Sequence, residues 1–348
     1  MGSVKDLEIL EKPRENELGI GRFIFSDRYS IFDWGKMPDE IKDKGSALCL
    51  MGAYFFERAE EQGIKSHYRG LVEKGKIKKL DELENPTNVM EIYLVRVIKP
   101  NFKDGKYDYS IFTPNLKNFL IPLEMIYRNS LPNGSSVFRR LEREEITYQD
   151  LGLDHYPEPG EILENPIFDV STKLEESDRY ISWKEAQKIA GLNDEEIHEI
   201  KEFLSSANNL ITEIVGKAGL TNEDGKIELA YDPNKNLIVV DVAGTPDECR
   251  FMYEGIPVSK EVARQYYKNT EWHGNVVEAK DLAKKQKTKD WKKLCKSQPE
   301  KLPSELKRII ENIYTSIANE ILGKKFFDSP KFKEVIKEFK DWEFQYYN

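Results

Sequence analysis

Residues 121–135, Ile-Pro-Leu-Glu-Met-Ile-Tyr-Arg-Asn-Ser-Leu-Pro-Asn-Gly-Ser, constrain the fold of this chain more than any other stretch. Read with a period of two, Ile121, Leu123, Met125 and Tyr127 fall on one side of a strand and Pro122, Glu124, Ile126 and Arg128 on the other. Both faces carry enough apolar surface to be largely buried, so the strand belongs inside a layered domain. It runs into Arg128-Asn129 and a Pro-Asn-Gly-Ser turn, which brings an arginine, backbone N–H groups and the Ser135 hydroxyl together. Such a junction suits a phosphate or carboxylate. Taken alone, the segment fits a strand capped by an ordinary turn equally well.

At 348 residues the chain can bury a sizeable core, as roughly two domains or one larger unit with subdomains. Its 62 acidic and 53 basic residues give a net charge of −9, the wrong sign for a general nucleic-acid binder. With 39% hydrophobic and 33% charged residues it reads as soluble and folded. Cys49, Cys249 and Cys295 are far apart, odd in number and without zinc spacing, which fits a reducing compartment. No run of about 18 apolar residues is available to span a membrane. The start, Met-Gly-Ser-Val-Lys-Asp, has no apolar signal region, and Asp6 stands where a myristoylation motif needs Ser or Thr. A cytoplasmic location is expected.

Along the chain, residues 4–95 read as short strands with one helix over 45–63, whose buried face includes Leu48, Met51, Ala53, Tyr54, Phe55 and Ala59. Strands are expected at 89–98 and 107–113, separated by a polar hairpin signal, and the proline-bearing loop 150–165 is expected to join two subdomains. Ser182 opens a helix with capping-box spacing, and 193–218 forms a longer amphipathic one. Two strands over 225–244 share an Asp-Pro-Asn-Lys-Asn turn; the remainder from 259 is mainly helical. The lysine-rich run 280–296 reads as a solvated helix face rather than a nucleic-acid contact. The pattern is α+β, without regular βαβ units.

Four clusters carry groups that bind phosphate, carboxylate or magnesium. The first is Asp27-Arg28-Tyr29-Ser30-Ile31-Phe32-Asp33 followed by Lys44-Gly45, which alone favours a structural ion pair. The second is the opening segment, with Arg128 and Ser135. In the third, Asp224, Lys226 and Glu228 alternate along a strand and share one face. Such a face usually meets solvent, but the following apolar strand 237–242 delivers Asp241, and the hairpin would set it close to Glu228. Two carboxylates there suit Mg²⁺, which commonly bridges to nucleotide phosphates, and Lys226 would then reach an ATP phosphate. The fourth cluster, Thr245-Pro246-Asp247-Glu248-Cys249-Arg250, ends in a second arginine suited to phosphate. Arg250 would also lower the Cys249 thiol pKa, whereas Cys49 reads as packing. His67, His155, His198 and His273 are too scattered for a metal site, and no Walker A, G-x-G-x-x-G or H-E-x-x-H motif is present.

Taken in order, these segments resemble the phosphoribosylaminoimidazole-succinocarboxamide synthase (SAICAR synthetase) family. The family patterns D-R-x-S-x-F-D, K-G, P-x-E-x-x-x-R-N with a following G-S, P-I-F-x-x-S-T-K, D-x-K-x-E and D-E-x-x-T-P-D-x-x-R have counterparts at 27–33, 44–45, 122–129 with 134–135, 166–173, 224–228 and 241–250. The likeness runs on to Gly323-Lys324 and so covers nearly the whole chain. It implies a two-lobed, ATP-grasp-related α+β fold with antiparallel sheets and a helical C-terminal part. Residues 1–118 would form a nucleotide-covering lobe, 119–258 a central lobe with hinge, ribotide and magnesium sites, and 259–348 a helical segment packed on the central lobe.

The implied reaction joins the carboxylate of carboxyaminoimidazole ribotide to the amine of L-aspartate with ATP and Mg²⁺, giving SAICAR, ADP and phosphate in purine biosynthesis. By the same resemblance Glu228 and Asp241 bind magnesium and act with Lys226 in catalysis. Lys12, Lys117 and Leu120 would meet ATP, and Asp33, Arg128, Ser135 and Arg250 the ribotide. Lys173 is a candidate substrate contact, with Asp178 and Lys260 as further candidates for aspartate. The implied partners are these small molecules, neither nucleic acid nor membrane, with a homo-oligomer as an option. The chain departs from the pattern in places: G-K-x-R becomes Glu11-Lys12-Pro13-Arg14, D-E becomes Asp241-Val242, E-F-G becomes Glu228-Leu229-Ala230, and the turn before Gly134 is one residue longer. These changes suit a longer, divergent, archaeal-type branch. They leave open another ATP-dependent carboxylate–amine ligase or small-molecule kinase on the same scaffold, or a nucleotide-binding regulator.

Overall fold

Two strands open the chain as an antiparallel hairpin, β1 (Lys5–Glu11) and β2 (Gly19–Phe25), with Lys5 opposite Phe25 and Ile9 opposite Gly21. The backbones approach so closely at its loop end that a Cβ on Gly19 would stand 2.4 Å from the Glu11 carbonyl oxygen. The computed structural model describes residues 4–103, 105–286, 288 and 290–347. The Met1-Gly2-Ser3 start, Asp104 of the hairpin signal, Lys287 and Lys289 of the basic run, and Asn348 lie outside the described residues.

Helix α1 (Lys44–Glu61) is apolar nearly all round and accordingly buried, from Ala47 to Ala59. Its N-terminus is held by Asp27, whose carboxylate accepts from the backbone N–H of Gly45 at 2.9 Å and of Asp43 at 3.3 Å. The helix covers a five-stranded antiparallel sheet ordered β1-β2-β5-β3-β4, completed by β3 (Tyr68–Glu73), β4 (Lys76–Lys78) and β5 (Val89–Leu94). A separate small hairpin follows, β6 (Asn101–Lys103) with β7 (Lys106–Asp108). The strands expected at 89–98 and 107–113 are therefore shorter than their sequence suggests. The turn residues pair with each other, and 109–113 is irregular because Tyr109 and Phe112 pack as an aromatic plug instead of alternating.

The second sheet contains β8 (Phe119–Leu120), β9 (Leu123–Leu131), β10 (Glu161–Thr172), β11 (Thr221–Tyr231), β12 (Leu237–Val240), β13 (Cys249–Tyr253) and β14 (Ile256–Pro257). Its order is β10-β9-β11-β13-β14, with β12 and β8 also paired to β11. β11 is the hub: Asp224–Ile227 pair with β9, and Glu228–Tyr231 pair with β12. The loop expected to join two subdomains instead connects neighbours of one sheet, since β10 pairs directly with β9. It follows α2 (Ser136–Glu142), and Gly160 N–H donates to the Leu131 carbonyl at 2.7 Å.

Helices α3 (Trp183–Ala190) and α4 (Asp194–Lys217) are capped by the side chains of Ser182 and Asn193, and α4 lies on β11. The chain closes with α5 (Glu261–Lys268), α6 (Glu271–Gln286), α7 (Ser304–Leu322) and α8 (Phe332–Tyr347). Leu306, Ile309, Ile310, Ile313, Ile317 and Ile321 give α7 a buried stripe at helical spacing, worth about 1.5–3 kcal/mol per fully buried side chain. That stripe packs against α1, α4 and α8, so a single core runs through both layers. The two sheets also touch at backbone level. Val239 N–H donates to the Lys65 carbonyl and Leu120 N–H to the Arg96 carbonyl, both at 2.9 Å. No helix among the described residues is long and apolar enough to cross a membrane.

Candidate active site

The alternation of β11 places Lys226 and Glu228 on the face that looks toward β9, β10 and the β12–β13 connection. Glu124 of β9 and Lys173, just past β10, complete the cluster. Lys226 Nζ lies 3.0 Å from Glu248 and 3.3 Å from both Glu124 and Glu228. Lys173 Nζ lies 2.6 Å from Glu228 and 2.8 Å from Glu124. Burial works against both ammonium groups, but the surrounding carboxylates outweigh it and hold Lys226 well above the ordinary lysine value, with Lys173 raised as well.

Glu228 and Asp241 are brought together because Glu228 pairs with Val240 across the β11–β12 hairpin. Burial first, and then the Asp241 charge, push the Glu228 carboxyl upward. Asp241 is also opposed by burial, yet Lys5, Lys226 and Lys173 hold it below the usual carboxylate range. Asp241 has a left-handed backbone, φ 62°, and its carbonyl is 2.9 Å from Nε2 of the buried His67, whose pKa burial lowers to about 4. Two carboxylates that line one cavity, with the charge of Asp241 pushing Glu228 upward, are a fitting pair for a hard divalent cation. Among the described residues no group of three or more His, Cys, Asp or Glu is arranged to hold a metal. Two carboxylates plus phosphate oxygens are what magnesium commonly uses beside a nucleotide.

Two cavities meet at this cluster. One, of about 590 Å³, is lined by Asp33, Arg128, Ser135, Tyr180, Asp247 and Arg250, among others. The other, of about 690 Å³, lies between the sheets and is lined by Lys5, Phe23, Val95, Leu120, Val240 and Asp241. Lys226 and Glu248 line both. The first is polar and cationic at its far end. Arg128 is buried, with Nη2 at 3.2 Å from Asp169 and from Ser136 Oγ, while Arg250 Nη1 is 3.1 Å from Asp224. Ser135 Oγ caps α2, accepting from Val137 N–H at 3.4 Å, and Lys260 donates to the Asp247 carbonyl at 2.6 Å. Asp33 sits on an exposed turn with φ 60°, after Phe32 at φ 52°, and pairs with Lys280 at 2.6 Å.

Most residues singled out in the sequence thus converge: Asp33, Arg128, Ser135 and Arg250 on one cavity, Leu120, Lys173 and Asp241 on the other, and Lys226 on both. Glu228 also lines the inter-sheet cavity, and Asp178 and Lys260 line the first. Lys12 and Lys117 are exposed and line neither. Arg250 does not lower the Cys249 thiol pKa: burial pushes it up to about 12, and Tyr127 O–H donates to the sulfur at 3.2 Å. Sequence reasoning overlooked Lys5, Glu124, Glu248, Tyr180 and His67 as site residues. Glu124 and Glu248 stand inside the segments 122–129 and 241–250, which the motif patterns mark; Lys5, Tyr180 and His67 carry no local signal.

A recess of about 590 Å³ with arginines at its far end and an inter-sheet cleft bearing Glu228 and Asp241, joined through Lys226 and Glu248, form an arrangement that suits a two-substrate phosphoryl-transfer enzyme. The profile of the SAICAR synthetase family matches residues 15–280. A protein from Archaeoglobus fulgidus, assigned provisionally by its name to the phosphoribosylaminoimidazole-succinocarboxamide synthases, is 53% identical over 341 residues, 98% of this chain and 99% of its own. The chain belongs to the SAICAR synthetase family, and is thereby an ATP-dependent carbon–nitrogen ligase of purine biosynthesis. Solved structures share the fold. A SAICAR synthetase in complex with ADP aligns with a TM-score of 0.60 and 21% identity, over 93% of this chain and 97% of its own. The Saccharomyces cerevisiae SAICAR synthase complexed with SAICAR aligns with a TM-score of 0.63 and 18% identity, over 93% of this chain and 94% of its own.

Proposed function

We propose that the two cavities hold the two halves of one reaction: ATP between the sheets, and carboxyaminoimidazole ribotide with L-aspartate in the cationic recess. The observation that carries this reading is that Lys226 and Glu248 line both cavities. A carboxylate is inert to an amine until it is phosphorylated. The γ-phosphoryl group therefore passes from ATP to a ribotide carboxylate oxygen, releasing ADP. The aspartate nitrogen then attacks the acyl carbon and phosphate leaves, with the amine proton going to a nearby base or water. The Lys226 ammonium stands at the crossing point, positioned by three carboxylates to neutralise the transferred group, so catalysis is chiefly positioning and charge stabilisation.

The remaining roles follow from place and charge. Arg128, Arg250 and the α2 turn at Ser135 hold the ribotide phosphate, and Asp33 reaches a ribotide hydroxyl or amine from its exposed turn. Leu120 and Val95 enclose the adenine. Lys173 steadies Glu228 and Glu124 and lies within reach of a substrate carboxylate. Glu228 and Asp241 would hold Mg²⁺, which supplies charge neutralisation of the nucleotide phosphates. We place the reaction in the cytoplasm, with the soluble precursors of purine synthesis. The test is ADP release with ribotide, aspartate and ATP, omitting each in turn. Release that needs both ribotide and aspartate supports the reading; release indifferent to aspartate makes the chain a kinase or a ligase for another amine.

A further inference from the structure

The cationic recess carries a phenol that no motif marks. Tyr180 lies beyond β10, where the chain folds back on that strand: it bridges to Ser171, and the Ile181 N–H donates to the Val170 carbonyl at 3.1 Å. This return brings the Tyr180 side chain to the recess that Arg128, Ser135 and Ser136 also line. The ring is held by two guanidinium groups, Arg140 at 4.4 Å from its centroid and Arg128 at 5.9 Å, and Arg140 is in turn paired with the buried Asp169.

The directions of the hydrogen bonds around its hydroxyl follow from which groups can donate. A guanidinium donates and never accepts, so the hydroxyl oxygens of Ser136 and Tyr180 both accept from Arg128 Nη2, at 3.2 and 3.4 Å. Ser136 Oγ then gives its own proton to the Tyr180 oxygen, 2.9 Å away. The tyrosine oxygen thus accepts twice and, among the described residues, its proton is left for an acceptor in the recess that the side chain lines. Arg128 does not depend on the phenol for its place, because Asp169 at 3.2 Å and Asp224 at 3.6 Å also hold it.

We propose that Tyr180 is a substrate-contacting residue whose O–H donates to an oxygen of the ribotide phosphate, beside Arg128, Arg250 and Ser135. The proposal rests on the reading of this recess as the ribotide site. A phosphate monoester offers three strong acceptor oxygens, so a neutral donor beside the arginines adds a hydrogen bond without adding charge. Arg140 and Asp169 stand behind the ring and act through it, as positioning residues.

The test uses Tyr180→Phe in the full chain, which keeps the ring between the arginines and removes only the hydroxyl. With ATP and aspartate saturating, its ribotide KM should rise about tenfold and kcat stay within about twofold of the parent, the loss of one hydrogen bond to a charged acceptor. Ribose 5-phosphate, as a competitor of the ribotide, should lose affinity by the same factor, whereas the 5′-dephosphorylated ribotide should compete as it does with the parent. An unchanged ribotide KM overturns the proposal. So does an equal loss for the dephosphorylated competitor, which marks damage to the recess as a whole. Adding Tyr180→Phe to Arg128→Lys separates direct contact from support of the arginine: a further loss of about tenfold is expected, and no further loss overturns the contact. Arg250→Ala separates failure of Tyr180 from failure of the site. If ribose 5-phosphate binds Arg250→Ala more weakly but Tyr180→Phe as it binds the parent, only the role of Tyr180 falls; if it binds both as it binds the parent, the recess is not the ribotide phosphate site.

Discussion

Lys44 Nζ and Asp247 Oδ2 lie 2.7 Å apart with side-chain exposures of 0% and 7%, and the pair fastens the start of α1 to the turn that carries Glu248 into the site. Tyr314 of α7 donates to the other Asp247 oxygen at 2.6 Å, so three layers meet at one carboxylate. Burial alone would raise the Asp247 pKa, but Lys44, Lys260 and Tyr314 hold it below the ordinary value. Lys44→Met should cost about 3–5 kcal/mol, because it leaves a buried charge unpaired. The sign with pH follows from linkage: a depressed carboxylate contributes stability above its unfolded pKa and loses it as pH falls through the folded one. The deficit of Lys44→Met should be complete at neutral pH and shrink below about pH 4. Calorimetric unfolding of both proteins at neutral and acid pH checks this; an equal deficit at both contradicts it.

Arg128 and Arg250 both reach Asp224, at 3.6 and 3.1 Å, but differ in burial. Arg250 is a quarter exposed, so Arg250→Ala should raise the ribotide KM at least about tenfold, the loss of one charged hydrogen bond, and leave the melting temperature nearly unchanged. Arg128→Ala should weaken ribotide binding and also destabilise by about 3 kcal/mol, since Asp169 and Asp224 lose a buried partner. Steady-state kinetics with a melting curve for each variant decides the matter, and an unchanged KM in Arg250→Ala would remove this arginine from the anion site.

Removing one member of the carboxylate pair should be felt in turnover. Asp241→Asn is expected to lower kcat on the order of a hundredfold and to raise the Mg²⁺ concentration needed for half-maximal rate. A magnesium titration of initial rates is the measurement; a parental titration curve would put the metal elsewhere.

Gly225 sits where β11 presses against β9 and β13. A Cβ there would stand 2.3 Å from the Tyr127 hydroxyl and 2.9 Å from Cys249 Sγ, and Tyr127 is fully buried. Gly225→Ala should destabilise by about 1–3 kcal/mol through overpacking and also lower kcat, because the strand that must shift carries Lys226. Loss of stability with kcat retained would uncouple the strand position from catalysis.

What the sequence disclosed depended on how local the signal was. The both-faces-buried strand at 121–131 and the alternation of Asp224, Lys226 and Glu228 were legible because a period of two needs only neighbours along one strand. The approach of Asp241 to Glu228 was legible because one turn joins their strands. Lys12 stood in the motif position, yet Lys5 fills the cleft: which lysine reaches Asp241 depends on how one sheet sits over the other. The Cys249 thiol was misread for a similar reason, since Arg250 is its neighbour in sequence but turns to Asp224 while the sulfur packs inward.

The claim that ATP activates the ribotide carboxylate at the junction of the two cavities is tested most directly with ribotide labelled with ¹⁸O in that carboxylate. If the oxygen bridges to the transferred phosphoryl group, the phosphate released during turnover with aspartate carries one labelled oxygen, read by mass spectrometry. Unlabelled phosphate alongside amide product would contradict the account.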